Sequence, residues 1–246
     1  MGSLQGISTL TGVSTIRGLS SIPVKPLFIS YTEITSGWGT NTAPRSTASI
    51  TVNNGDILIA IGAIEGQGSP GADTLGVAGG GLVWNEEKHV DVGSYVVEHV
   101  WSTTATSTTS FAVTFSRAVL SNSSLWWGGG VIVFRNSNGI GASAKTNVLS
   151  GAPSLNLITT QPNSAIICLS GDWTAADGTS RTWLTINGIT PTSGNGLEKV
   201  YFRDASHYVV YSAYWDDVGA IGTKTTGLSA PGSQKYSIIA IEIKGT

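Results

Sequence analysis

The stretch Asn54-Gly55-Asp56-Ile57-Leu58-Ile59-Ala60-Ile61 decides the fold class, because it joins a turn signal directly to a strand signal. Asn, Gly and Asp favour tight turns, and the β-branched apolar run after them favours a strand. A matching stretch, Pro162-Asn163-Ser164-Ala165-Ile166-Ile167-Cys168-Leu169, follows in the second half of the chain. The sequence therefore predicts two related strands, one in each half.

Short runs of the same kind fill most of the remaining chain, and Gly, Asn, Asp, Ser and Pro separate them. No segment shows the apolar periodicity of a helix. Regularly spaced short strands indicate a sandwich or barrel. We predict an all-β fold, a jelly-roll-like two-sheet β-sandwich, for residues 27–246. The runs that support it lie at 49–52, 57–61, 94–101, 110–115, 130–134, 165–169, 199–203, 207–215 and 236–243.

The order of features repeats between the halves of this body. Each half has a turn, an apolar strand, a Trp-bearing segment, two further strands and a terminal apolar strand. Half a sandwich cannot cover its own apolar face. We therefore predict one internally duplicated domain over residues 27–246, with the Gly-, Ser- and Asn-rich stretch 135–154 as an exposed crossover.

Residues 5–22 form a separate repeat of three hexads. Their apolar residues recur every third position, which matches neither a helix nor a flat strand. Three hexads cannot bury their own apolar row, so the segment needs a partner, either identical chains around a threefold axis or a groove on another protein. A flexible arm is the remaining alternative. We predict that residues 1–26 form an assembly arm that acts through Ile7, Leu10, Val13, Ile16, Leu19 and Ile22.

The composition excludes several classes of protein. Charged residues make up 11% of the chain and the net charge is -2, while Gly, Ser and Thr occupy 32, 31 and 29 positions. A nucleic-acid binder needs a basic field and a coiled coil needs charged heptads, and the chain has neither. No stretch approaches a membrane span, and the N-terminus resembles no secretory signal. We predict synthesis in a cytoplasm, with no membrane insertion and no nucleic-acid partner.

Catalytic motifs are scarce. His89, His99 and His207 lack metal-ligand spacing, and the single Cys168 lies in an apolar run where a buried position is expected. No nucleophile elbow or phosphate-binding loop is present. Acidic residues occur, but no motif pairs them for glycoside cleavage. We therefore predict that the chain is not an enzyme and has no metal or cofactor.

The segment 171–183 is the most distinctive candidate site, because it gathers two Trp, two Asp and one Arg around a turn. Aromatic faces stack on sugars, and nearby polar groups bind hydroxyls. We predict a glycan site at Trp173, Asp177, Arg181 and Trp183. The alternative is that the Trp side chains fill the sandwich core and that Arg181 or Arg203 satisfies a nearby Asp. For Trp126-Trp127, strand alternation predicts that one side chain is buried and the other exposed.

The segments 171–183, 201–204 and 227–238 resemble minor tail proteins of actinobacteriophages, particularly those of mycobacteriophages. The resemblance extends over roughly residues 50–246 and excludes the hexad arm. It implies a β-sandwich at or near the tail tip of a virion that is assembled in the host cytoplasm. It supplies no catalytic residues.

The expected function is therefore that of a virion structural protein that contacts the host envelope. The expected partners are itself, as a homotrimer, other virion structural proteins, and a host envelope glycan or glycolipid. Many weak sites on one particle would bind with high avidity. Two alternatives stay open: a purely architectural head-decoration or tail-assembly subunit, and an envelope glycan hydrolase.

Overall fold

The computed structural model describes residues 24–66, 74–92, 95–118, 124–174, 181–203 and 208–246, with only the backbone for 200–203. The hexads of the predicted assembly arm lie outside these ranges, and so does Asp177. The described part of the chain is all-β, which confirms the predicted fold class. It contains no helix that is long and apolar enough to cross a membrane.

The strands divide into those of a first and a second half. The first half contributes β1 (Leu27–Glu33), β2 (Arg45–Ser46), β3 (Ile50–Val52), β4 (Ile57–Ile64), β5 (Thr74–Gly79), β6 (Asn85–Val90), β7 (Val97–Thr104), β8 (Thr109–Phe111), β9 (Val113–Ala118) and β10 (Trp127–Arg135). The second half contributes β11 (Ile140–Gly151), β12 (Ser154–Ile158), β13 (Ala165–Asp172), β14 (Thr182–Trp183), β15 (Glu198–Arg203), β16 (Val209–Trp215), β17 (Thr223–Ala230) and β18 (Gln234–Ile243).

Two five-stranded antiparallel sheets form the centre of the molecule. Their strand orders are β1-β10-β4-β7-β6 and β11-β18-β13-β16-β15. One core cluster combines residues of both sheets, including Ile59 and Ile61 of β4 with Ile167 and Leu169 of β13. The two sheets therefore pack face to face, and this shared core joins the halves.

Smaller sheets cover the outer face of each central sheet. The sheets β2-β9-β5 and β3-β8 lie over the first, and β12-β17-β14 lies over the second. Leu58 shares a core cluster with Phe115 of β9, and Ile166 shares another with Leu155 of β12. Cys168 belongs to the second of these clusters and is fully buried, as the sequence predicts.

The structure thus has more sheets than the predicted two-sheet sandwich. Every residue of β4 and of β13 is buried. A strand covered on both faces is apolar throughout, whereas a strand with one solvated face alternates. The continuous apolar runs therefore require a cover on each side. Each half supplies its own outer cover, and the other half covers the inner face.

The strand orders of the two halves correspond position by position. The strands β1, β10, β4, β7 and β6 match β11, β18, β13, β16 and β15, and β2-β9-β5 matches β12-β17-β14. The turns before β4 and β13 also match, because Gly55 and Asn163 both have a positive φ, of 87° and 54°. Ile57 and Ala165, each two residues after these positions, are therefore equivalent.

The stretch 135–154 is not mainly a crossover loop, which corrects that prediction. Most of it forms β11, which pairs with β18 along the edge of the second central sheet. Its residues are half-buried or exposed throughout. The Gly-, Ser- and Asn-rich composition therefore reflects an edge strand rather than a loop.

Glu98 is fully buried on β7, near Ser237 and Gly171 of the other half. Burial raises the pKa of Glu98 well above its usual value of 4.5, and interactions with the Ser237 hydroxyl and the Gly171 backbone oppose this only in part. The folded protein therefore holds a proton on Glu98 that the unfolded chain releases as the pH rises. The Glu98 carboxyl therefore lowers the stability of the folded state as the pH rises above 4.5.

We predict that Glu98→Gln stabilises the fold by about 1–2 kcal/mol at pH 8 and changes little at pH 4. Glutamine keeps the size of the side chain but carries no charge at either pH. Urea unfolding of both proteins from pH 4 to pH 8 measures the difference. A stability difference that stays constant over this range would contradict the prediction.

Candidate functional site

Trp183, a central residue of the predicted glycan site, lies inside the protein. Its side chain is 4% exposed. The ring packs edge-on against Tyr211 and Trp215, at centroid distances of 5.7 and 6.0 Å. This packing leaves no indole face on which a sugar could stack.

Arg181 is held in an internal ion pair. Its Nε and NH2 atoms each lie 2.7 Å from Oε1 of Glu198, and its guanidinium lies 5.1 Å from the centroid of the Tyr211 ring. The side chain is only 4% exposed. The alternative interpretation of this segment is right for Trp183, which lies in the core, but the partner of Arg181 is Glu198 and not an Asp.

Trp173 is half-buried and stays close to the surface. The Nζ atom of Lys235 lies 5.7 Å from its ring and 5.1 Å from the ring of Tyr95. Asp177 lies outside the described residues. The structure therefore does not bring the described members of the predicted site together: Trp173 lies near the surface, while Arg181 and Trp183 lie in the second-half core.

A different pair of tryptophans, Trp38 and Trp126, lines an open cleft of about 410 Å³. Both side chains are half-buried. This volume falls within the range of small-molecule sites in proteins, which is about 300–1,000 Å³. The rest of the lining comes from Ser36, Gly39, Thr40, Asn41, Ala43, Pro44 and Arg45.

The position of Trp38 depends on Gly128 at the start of β10. A Cβ at Gly128 would lie 2.4 Å from Cδ2 of Trp38, so only glycine lets the indole lie this close to the strand. The indole Nε1 donates a hydrogen bond of 2.7 Å to Oε1 of Glu33. Burial raises the pKa of Glu33, while this bond and the charge of Lys199 lower it.

Trp126 is fixed through its backbone. Its N–H donates to Oε2 of Glu65 at 3.2 Å, and its carbonyl accepts a hydrogen bond of 2.7 Å from the buried hydroxyl of Tyr208. The next residue, Trp127, is fully buried in the first-half core. The structure thus buries one of these adjacent tryptophans, as predicted, but Trp126 is half-buried rather than exposed.

Arg45 holds the loop that forms the other wall of the cleft. Its NH1 donates to the carbonyls of Gly37 and Trp127, both at 2.9 Å, and its NH2 donates to that of Asn41 at 3.0 Å. The guanidinium also lies 4.5 Å from the ring centroid of Trp127. These contacts fix the loop to the start of β10, directly after Trp126.

The chemistry of this cleft favours binding over bond cleavage. Its lining offers two aromatic faces, with hydroxyl and amide groups beside them. Within the described residues the lining contains no carboxylate, histidine or cysteine. A glycosidase needs two carboxylates beside the scissile bond. The arrangement therefore fits a site that stacks on a sugar ring and binds its hydroxyls.

Sequence reasoning missed Trp38 as a partner of Trp126 because the two residues are far apart in the chain. The isolated bridge between Gly39 and Trp127 brings them together. The signal that was available is the run Trp126-Trp127-Gly128, since a glycine next to aromatic residues allows another ring to approach the backbone.

A second group was missed for the same reason. Glu86, His89 and His99 have ligand atoms within 4.8 Å of one another, and within the described ranges they are the group with metal-ligating geometry. Linear spacing predicted no such group among the histidines. Pairing of β6 with β7 creates it, because His89 lies directly opposite His99.

No protein-family model, curated protein or solved structure matches this chain. The resemblance to minor tail proteins therefore stays a prediction, and the function is proposed from the geometry of the described residues.

Proposed function

We propose that this chain is a structural, adhesive component of a phage tail that binds a glycan or glycolipid of the host envelope through the Trp38–Trp126 cleft. The observation that carries the binding role is the pair of half-buried indoles that line one cleft together with hydroxyl and amide groups. Aromatic faces with a few polar groups are the usual means of binding a small polar ligand with apolar faces.

The rigidity of the cleft supports this role. Trp38 rests on Gly128, Trp126 is tied to Glu65 and Tyr208, and Arg45 fixes the intervening loop. A site that is formed before binding loses little conformational entropy when the ligand arrives. A single shallow cleft still binds weakly, so several copies on one particle would be needed for firm attachment.

The tail assignment is supported by the sequence resemblance and agrees with the fold. In each half, the chain passes several times between the central sheet and an outer sheet, and the two central sheets have matching strand orders. We interpret each half as a jelly-roll-like sandwich. The proposed partners are further copies of this chain, as a trimer held by residues 1–26, and other virion proteins. The proposed location is the virion.

The test is the retention of fluorescently labelled protein on intact actinobacterial cells. Trp126→Ala is expected to lower the apparent affinity by about tenfold, because an aromatic contact contributes about 1.5 kcal/mol. Trp84→Ala is the matched control, since Trp84 is also half-buried and packs on a core cluster but does not line the cleft. Folding of each variant is verified by its unfolding curve.

Loss of binding with Trp173→Ala, and not with Trp126→Ala, would move the site to the segment predicted from the sequence. Absence of saturable binding by the folded wild-type chain would favour a purely architectural subunit. Release of reducing sugar from host walls would favour the hydrolase.

A further inference from the structure

The group formed by Glu86, His89 and His99 lies on one face of the β6–β7 pair. Oε1 of Glu86 lies 2.6 Å from Nδ1 of His99, and Oε2 lies 3.3 Å from Nδ1 of His89. In a regular strand, residues 86 and 89 would point to opposite faces. A register shift between Glu86 and Lys88 returns Glu86 to the face of the two histidines. The local bulge therefore assembles the group.

The group is rigid on one side and open on the other. His99 is 5% exposed and stacks on Trp101, with ring centroids 5.2 Å apart and an angle of 6° between the planes. The His99 ring also stacks on the ring of His89, with centroids 5.5 Å apart. The side chains of His89 and Glu86 are 45% and 39% exposed. An ion could enter from solvent and meet one ligand that is already fixed.

The duplication of the fold gives independent evidence that a cation belongs at this position. Leu58 of β4 pairs with Thr103, and its counterpart Ile166 of β13 pairs with Trp215. Thr103 and Trp215 are therefore equivalent positions. His99 lies four residues before Thr103, and Tyr211 lies four residues before Trp215, so His99 corresponds to Tyr211.

The facing strand carries a glutamate at the same register in both halves. Glu86 pairs with Trp101, and Glu198 pairs with Ala213, which is the counterpart of Trp101. In the second half, this glutamate binds the guanidinium of Arg181 above Tyr211. In the first half, His99 takes the place of Tyr211, and His89 lies beside the glutamate where the second half has that cationic side chain.

Charged residues around Glu86, His89 and His99 affect how well this group accommodates a positive charge. Asp91 and Glu86 favour a positive charge near His99, and His89 disfavours it when protonated. Lys145 of the other half is near, but its Nζ atom binds the backbone carbonyl of His89 at 2.7 Å. Two carboxylates, those of Glu86 and Asp91, therefore favour a positive charge at this group.

We propose that Glu86, His89 and His99 bind one divalent transition-metal ion, with Zn²⁺ as the best match. Two histidines and one carboxylate form a zinc ligand set that leaves the fourth position open to water or to an oxygen of a bound ligand. The ion would lie between the Glu86 carboxylate and the two imidazoles, and it would link β6 to β7.

The test is a calorimetric titration of the untagged, chelator-treated chain with ZnCl₂ at pH 7.5. One saturable site per chain and a rise in Tm with Zn²⁺ are expected. His89→Gln is expected to weaken binding on the order of 100-fold or more, beyond the 10- to 100-fold loss that is typical of outer-shell changes. His89 is exposed, so this variant is expected to fold.

His207→Gln is the matched control, because it removes the chain's third histidine and leaves the ligand set intact. Its Zn²⁺ affinity is expected to equal that of the wild type. Wild-type binding is expected to be lost at pH 5.5, where protons compete for the imidazoles. Absence of saturable binding by the folded wild type, or binding that His89→Gln leaves unchanged, would overturn the proposal.

Discussion

Glu242→Gln is expected to lower the free energy of unfolding by about 3 kcal/mol at pH 7. The Glu242 side chain is fully buried on β18. Its carboxylate accepts hydrogen bonds from the backbone N–H groups of Ala142, Thr160 and Gln161, at 2.8, 2.9 and 3.0 Å, and from the Ser164 hydroxyl at 2.8 Å. A glutamine amide can accept at one oxygen only, so buried N–H groups would lose their acceptor.

The pH dependence of this effect has a definite sign. Burial acts to raise the pKa of Glu242, but its backbone and hydroxyl donors lower it, and the result is below the usual 4.5. The stabilisation is therefore present above pH 4.5 and is lost as the pH falls through the lowered pKa. Urea unfolding at pH 7 and in acid should show the difference between variant and wild type shrinking on acidification.

Asp216→Asn is the matched control for Glu242→Gln. Asp216 forms a surface ion pair with Lys25, whose side chain is 51% exposed. Such pairs contribute about 0–1 kcal/mol. Equal losses of stability in the two variants would contradict the role assigned to Glu242.

Gly128→Ala is expected to destabilise the protein by about 2–3 kcal/mol and to abolish binding at the Trp38–Trp126 cleft. The new Cβ would lie 2.4 Å from Trp38, so the indole must move off β10. A shift in the tryptophan emission spectrum and a lower urea midpoint would report this movement.

Gly151→Ala is the control for the glycine substitution, because its Cβ would lie 3.6 Å or more from its neighbours. It is expected to change stability by less than about 0.5 kcal/mol. Wild-type cell binding by Gly128→Ala would show that the position of Trp38 has no part in the site.

The strands were predictable from the sequence because their signals are local. Turn residues and β-branched runs placed β4 and β13 correctly. The number of sheet layers could also be predicted from the sequence. The run from Ile57 to Ile61 has no polar alternation, and such a strand needs cover on both faces.

The candidate sites were not predictable because they depend on contacts between distant segments. Trp183 looks like a surface residue beside polar neighbours, but β14 places it against Trp215 in the core. Arg181 finds its carboxylate on β15, not within its own turn. The Glu86, His89 and His99 group needs both the register of β6 on β7 and a bulge. The spacing of these residues along the chain reveals neither the register nor the bulge.

The most direct test of the central claim uses the side-chain N–H signals of the eight tryptophans. Isotope-labelled protein is titrated with host envelope polysaccharide, and the indole signals are assigned by single Trp→Phe variants. We predict that the signals of Trp38 and Trp126 shift, while those of the buried Trp101, Trp127, Trp183 and Trp215 stay in place. Shifts confined to Trp173, or no shift at any indole at saturating polysaccharide, would contradict the assignment of the cleft as the binding site.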